Sequence, residues 1–186
     1  MNDLEEKKEL DTRYEVLKIA LQEQNLSDFR ENFLELHIYE QGQFYESLTE
    51  KERVQMYSYL SPKELADMFD SLEEDEDALK EYLEEMRPSY AAAMLSAMYT
   101  DNAVDLLNLL GKKDTAKYLS LMSPEAAAEI KELLHYEDET AGAIMTTEYV
   151  SIVANQTIRS ALNLLRKKAT QAEIIYYIYV VDSHNH

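Results

Sequence analysis

The chain has 186 residues, with 37 acidic side chains against 18 basic ones and a formal net charge of −19. That excess of anionic charge repels phosphate and excludes a nucleic-acid binder. Cysteine is absent, which excludes disulfides, thiolate metal sites and a thiol nucleophile. The acidic, polar opening MNDLEEKKEL is no secretory signal. The longest apolar run, Ile174 to Val181, is far shorter than the roughly 20 residues of a membrane-spanning helix, so the chain as given reads as soluble.

Residues 1–24 predict a helix with Leu4, Leu10, Tyr14, Leu17 and Leu21 as its apolar positions. Asn25 and Ser27 end it, with Ser27 as the N-cap of the next element, and Gly42 marks an early turn. A beat of twelve residues then takes over through Leu36, Leu48, Leu60 and Leu72. After one step of fourteen it continues through Met86, Met98, Leu110, Met122 and Leu134. Six residues into successive segments stand Ala66, Ala92, Val104, Ala116 and Ala128, and nine residues in stand Phe69, Leu95, Leu107 and Leu119. These offsets fit one face of a short helix followed by a tight turn.

The three prolines, Pro62, Pro88 and Pro124, each lie two residues after a beat residue, where a first helical position tolerates the missing N–H. Ser61 and Ser123 stand before two of them as N-caps, and Ser61 with Glu64, like Thr49 with Glu52, reads as a capping box. Helices of about nine residues are only ~14 Å long and need neighbours to persist. A fixed period with one apolar face per unit therefore predicts a helical-repeat array of short antiparallel or steeply crossing helices over residues 28 to about 136, the alternative being one irregular helical bundle with accidental spacing.

Charge is uneven along the chain. Residues 1–150 carry 35 of the 37 acidic residues but only 14 of the 18 basic ones, and between Lys63 and Arg87 there are 11 acids against 3 bases. Such density is self-repelling at low ionic strength, and divalent cations would relieve it. After His135 the composition changes. Residues 137–148 read as a link, Tyr149 to Val153 as a strand, Thr157 to about Lys168 as a capped helix with Ile158, Ala161, Leu162 and Leu165 on one face, and Ile174 to Val181 as a second strand. A long apolar strand near a terminus is an exposed pairing edge. The expectation is that more chain or a partner covers it, and that the sequence is a fragment.

Three features together resemble the cytosolic part of the MgtE family of magnesium channels and transporters. One is the array of short helices with L-x-P or L-S-P starts. Another is the junction Glu139-Thr140-Ala141-Gly142-Ala143-Ile144-Met145-Thr146-Thr147-Glu148-Tyr149-Val150, similar to the family's E-x-A-G-x-x-M-T-x-E-Y-V. The last is the run from Ala172 to Asp182, which resembles the opening of the family's first CBS (cystathionine-β-synthase-type) motif.

The resemblance implies a mainly α fold: a right-handed superhelix of short helices followed by an incomplete α/β CBS segment. Its divisions would be an acidic N domain at 1–136, a junction at 137–148 and the beginning of a CBS domain at 149–186. It implies a Mg²⁺-sensing regulatory region at the cytoplasmic face of the cell membrane, where Mg²⁺ at the N domain–CBS interface favours the closed pore. The partners implied are Mg²⁺, the remaining CBS, plug-helix and membrane domains, and a second copy in a full-length homodimer. Carried over residue by residue, the metal ligands are Asp67, Asp101 and Asp105. Asp101 and Asp105, at i and i+4, also project from one helix face, and each of the three reads equally as a solvated surface acid. A complete CBS pair would take an adenine nucleotide, with Tyr177 as a candidate to stack on the base or, alternatively, as a core or dimer-face tyrosine.

Catalysis has little support. His37, His135, His184 and His186 are scattered, there are three glycines, and no metalloprotease, nucleophile-elbow or phosphate-loop pattern occurs. His184 and His186 form an H-x-H that reads as an ordinary chain end. A reading from another class stays open: an acidic α-solenoid adaptor whose groove selects a basic protein or peptide. Such an adaptor has no need of residues 140–182.

Overall fold

A computed structural model describes residues 2–72, 75–136, 140–142, 145, 149–168, 175, 177–182 and 184. Its first element, α1 (Asn2–Gln22), sets Leu17, Ala20 and Leu21 in the core with Leu10 and Tyr14 beside them. The helix ends at Gln24, whose φ of 56° lies in the left-handed region. The Gln24 N–H donates to the Leu21 carbonyl at 3.1 Å and the Asn25 N–H to the Ala20 carbonyl at 2.8 Å. These are the paired bonds that close a helix around a left-handed residue. Asn25, rather than Ser27, caps α2 (Leu26–Leu34), its Oδ1 accepting from the Asp28 N–H at 3.3 Å.

The beat then sets out α3 (Ile38–Glu46), α4 (Glu50–Met56), α5 (Pro62–Phe69), α6 (Glu76–Glu85), α7 (Pro88–Leu95), α8 (Thr100–Asn108), α9 (Lys112–Leu121) and α10 (Pro124–Leu133). From Leu36 to Met122 each beat residue except Leu72 stands immediately before an N-cap. After Leu72 the insertion of two residues moves the cap to Asp75. Pro62, Pro88 and Pro124 all open helices. Ser61 and Glu64 cap reciprocally, the Glu64 N–H donating to Ser61 Oγ at 3.3 Å and the Ser61 N–H to Glu64 Oε2 at 2.8 Å.

The packing has a longer period than the beat. α3, α5, α7 and α9 stack successively, and α10 stacks on α8. The twelve-residue beat therefore counts helices, while the stacking joins every second helix.

Leu36, Leu48, Leu60, Met86 and Met98 are buried at the turns, and Ala66, Ala92 and Val104 are buried within their helices. Ala116 and Ala128 are exposed instead. α9 buries only Tyr118, and α10 buries Ala127 and Ile130, the counterparts of Leu65 and Met68 in α5, together with Leu133, so its buried face is narrower. The stacking pairs end with these two helices, so the constraint that fixes the face is weaker there. Gly42 is not a turn residue. It lies inside α3, buried, where an added Cβ would stand 3.2 Å from Leu72 Cδ1. The glycine admits close approach of the loop that follows α5.

Short helices expose many terminal carbonyls, and long side chains from neighbouring helices satisfy them. Tyr90 Oη donates to the Leu60 carbonyl at 3.0 Å and Arg30 to that of Tyr59 at 2.7 Å, while Tyr14 Oη reaches the Glu40 carbonyl in the first turn of α3 at 2.8 Å. The most buried of these devices is centred on Arg53. Its guanidinium donates to the Leu48 carbonyl at 2.7 Å, forms a two-pronged pair with Glu85, and lies 4.7 Å from the centre of the Tyr82 ring. Tyr57 Oη donates to Glu85 Oε2 at 3.0 Å and is 2.6 Å from Tyr45 Oη. Burial raises the pKa values of both phenols, so both stay neutral.

Beyond the array, β1 (Ser151–Val153), α11 (Ile158–Lys168) and β2 (Tyr179–Val181) form a strand–helix–strand unit. The strands are parallel, with Ser151, Ile152 and Val153 opposite Tyr179, Val180 and Val181. The Ser160 N–H donates to Thr157 Oγ1 at 3.2 Å, so Thr157 caps as expected. The strands are shorter than the sequence suggests. Ile158, Leu162 and Val180 remain exposed at 81%, 49% and 62%, so this unit leaves its apolar face uncovered among the described residues.

Candidate functional site

The turn after α5 brings acids to an unfavourable place. Asp70 is the C-cap of α5, where the negative end of the helix dipole repels a carboxylate. It is held there by another helix. Its Oδ1 accepts from the Tyr99 N–H at 3.1 Å and from Asn102 Nδ2 at 3.0 Å. Tyr99 is the N-cap of α8 and makes no side-chain cap of its own. Asp70 thus caps α8 from a different helix.

These bonds favour the carboxylate, but its surroundings oppose them more strongly. Burial, and then the charges of Asp67 and Asp101, push the Asp70 pKa up to about 6. Asp105 is raised as well, by withdrawal from water and by the charge of Asp101. Asp67, Asp70, Asp101 and Asp105 are therefore one electrostatically coupled set.

Asp67 and Asp70 line a cleft of about 760 Å³, with α5, the α7–α8 turn and α10 as its walls. Glu129 and Glu132 add two acids from α10, and Tyr149, Val150 and Lys168 complete the lining. Val150 is buried at 2% exposure. Lys63 lines the same cleft and donates from Nζ to Asp67 Oδ1 at 2.9 Å. Asp101 follows the lining residue Thr100 in α8, and Asp105 is exposed one turn further on.

Carboxylate oxygens of this kind suit a hard divalent cation that keeps much of its water and takes one or two protein ligands. They do not form an enclosed cage: no group of three His, Asp or Glu able to hold a metal ion occurs among the described residues.

The sequence reading named Asp67, Asp101 and Asp105, and the structure joins Asp67 to Asp101 through Asp70. It missed Asp70, Glu129, Glu132 and the two lysines. An acid against the negative end of a predicted helix was the available signal for Asp70. Tyr177 lies just before β2, outside the strand, and is 76% exposed. The His184 N–H donates to Asp182 Oδ1 at 2.7 Å, a local turn contact. His186, Ala172 to Ile174, Tyr176 and, within the junction, Glu137 to Glu139, Ala143, Ile144 and Thr146 to Glu148 lie outside the described residues. No described helix is long and apolar enough to cross a membrane.

The family model of the MgtE intracellular N domain matches residues 36–139. The magnesium transporter MgtE of Enterococcus faecalis is 66% identical over 183 residues, which are 98% of this chain and 40% of that protein. The magnesium transporter MgtE of Thermus thermophilus is 41% identical over 85 residues, 44% of this chain and 19% of that protein. The chain thus spans less than half the length of these relatives. Among solved structures, the soluble part of a magnesium transporter superposes with a TM-score of 0.90 at 67% identity, covering 95% of this chain and 69% of that one. The cytosolic domain of the Mg²⁺ channel MgtE in complex with ATP superposes with a TM-score of 0.77 at 30% identity, covering 92% and 69%.

Proposed function

The chain belongs to the MgtE family, and from that premise we propose that it is the Mg²⁺-sensing regulatory region of a magnesium channel or transporter, working at the cytoplasmic face of the membrane. We divide it into an acidic N domain at 1–136, a junction at 137–148 and the start of a CBS domain at 149–186. Mg²⁺ held between the N domain and the CBS region favours the closed state of the pore. The observation that carries this reading is the acidic lining of the cleft, Asp67 and Asp70 from α5 with Glu129 and Glu132 from α10, where the charges of Asp67 and Asp101 add to burial in raising the Asp70 pKa. A second acidic surface cannot approach such a cleft without a counter-ion. A divalent cation that binds only the approached state shifts the population toward it.

Asp67, Asp101 and Asp105 would supply carboxylate oxygens to hydrated Mg²⁺, and the region beyond this chain would supply the opposing ligands. The pore, the plug helix, the rest of the CBS pair and the second copy of a homodimer belong to that region too. A complete CBS pair would take an adenine nucleotide, as the ATP complex of a relative suggests, with Tyr177 stacking on the base.

The test is thermal unfolding and solution size against MgCl₂ from zero to ~20 mM, a range suited to weak carboxylate sites, at constant ionic strength in a chain carrying the complete CBS pair. A Mg²⁺-specific rise in stability and compactness is expected, and it is lost when Asp67, Asp101 and Asp105 are all changed to Asn. If Mg²⁺ does no more than matched NaCl, the carboxylates are a solvated face, and the acidic adaptor becomes the better account.

A further inference from the structure

We propose that Lys63 is a built-in counter-ion of the cleft, which competes with the divalent cation for Asp67 and sets how much of that cation is needed for closure. This inference rests on the sensor reading above. Lys63 and Asp67 stand at i and i+4 on α5, paired at 2.9 Å, and both line the cleft. Lys63 is the only basic residue of α5. Its ammonium group therefore occupies an oxygen that the sensor reading assigns to Mg²⁺.

The pair suits a displaceable role. Its side chains are 71% and 52% exposed, and exposed pairs of this geometry hold weakly. This contrasts with the buried, two-pronged Arg53–Glu85 pair, which a solvated ion could not displace. A tethered ammonium is also present at a fixed, high effective concentration. Its local concentration does not vary with the salt around the protein, whereas a free monovalent ion screens in proportion to its concentration. Closure then exchanges one fixed monovalent charge for one divalent ion, and the threshold is set by the chain more than by bulk salt.

The experiment measures the MgCl₂ midpoint of the rise in unfolding temperature, in the chain carrying the complete CBS pair, for the unmodified protein, Lys63→Gln and Lys80→Gln. Lys80 is an exposed lysine of α6 outside the cleft lining, so it controls for net charge. Glutamine keeps helix propensity close to that of lysine. Removing one charge about 5 Å from a divalent ion should lower the midpoint about three- to tenfold in Lys63→Gln and leave Lys80→Gln within about twofold. The midpoint of Lys63→Gln should also depend more steeply on NaCl than that of the unmodified protein, because sodium then takes the vacated role. An unmoved midpoint in Lys63→Gln, with a clear Mg²⁺ response in the unmodified protein, overturns the counter-ion role and leaves the sensor standing. Equal shifts in both variants reduce Lys63 to general charge and overturn it too. No Mg²⁺ response in the unmodified protein overturns both readings.

Discussion

Asp70→Asn isolates the acid that the array pays most to keep. The side chain caps α8 from the end of α5, and its pKa rises from an ordinary value near 3.8 to about 6. A raised folded-state pKa means that stability is fully present below the unfolded pKa and is lost as pH rises through the folded one. Two pKa units correspond to at most about 3 kcal/mol; solvent screening of this half-buried side chain reduces that, and about 1–2 kcal/mol falls between pH ~4.5 and pH ~7.5. Asparagine is neutral throughout and keeps an oxygen for the Tyr99 N–H. The difference in stability between native protein and variant therefore reports this titration together with its coupling to Asp67 and Asp101, and cancels the more distant carboxylates. Urea denaturation in Mg²⁺-free buffer across that range should show the native protein losing about 1–2 kcal/mol relative to Asp70→Asn as pH rises. A flat difference, or one that grows in favour of the native protein with pH, would refute the reasoning. The α8 N-terminus and Asn102 would then outweigh burial and the charges of Asp67 and Asp101.

Other substitutions test the packing. Glu85→Ala strips Arg53 of its buried partner and Tyr57 of an acceptor, and should cost about 3–5 kcal/mol in denaturant unfolding; a loss below about 1 kcal/mol would place the pair in solvent. Gly42→Val drives a branched side chain toward Leu72 and should lower stability by about 1–3 kcal/mol by calorimetry, whereas a turn glycine with open space beside it would tolerate the change. Gln24→Gly relieves a left-handed residue at the end of α1 and should raise the melting temperature, worth about 0.5–1 kcal/mol; a fall would mean that the Gln24 side chain contributes more than its backbone costs.

Much of the array is legible in the sequence because its signals are local. Proline at a first helical position, serine before it and glutamate three residues on all act within one turn, so their spacing survives as a readable phase. Gly42 was misread for the converse reason. Glycine can mark either a turn or a close approach, and only Leu72, far along the chain, distinguishes them. Ala116 and Ala128 keep the spacing of Ala66 and Ala92 but not their burial, because burial depends on which neighbouring helix covers the face. The pairing of α5 with α7 rather than α6 is likewise tertiary. Asp67 and Asp101 were legible as acids on short helices. Their charges meet at Asp70, whose capping of α8 spans 29 residues and leaves no periodic trace. The strand–helix–strand tail was legible in order, while its strands came out shorter, since period alone cannot say how many residues find a backbone partner.

The stacking of α5 on α7 on α9, and of α10 on α8, also governs how the molecule comes apart. In a row where each member leans on the next, opening spreads from the end with least to lose rather than everywhere at once. That end is α9, which has Tyr118 as its buried residue. Among the helices of the array, amide protons should therefore exchange fastest in α9, more slowly in α10, and slowest in α3 to α5, where aromatic rings crowd the interior. The loosest end is also the one whose α10 forms a wall of the cleft. On the sensor reading, an ion held in the cleft should slow exchange in α10, which would record its arrival even where no distance changes.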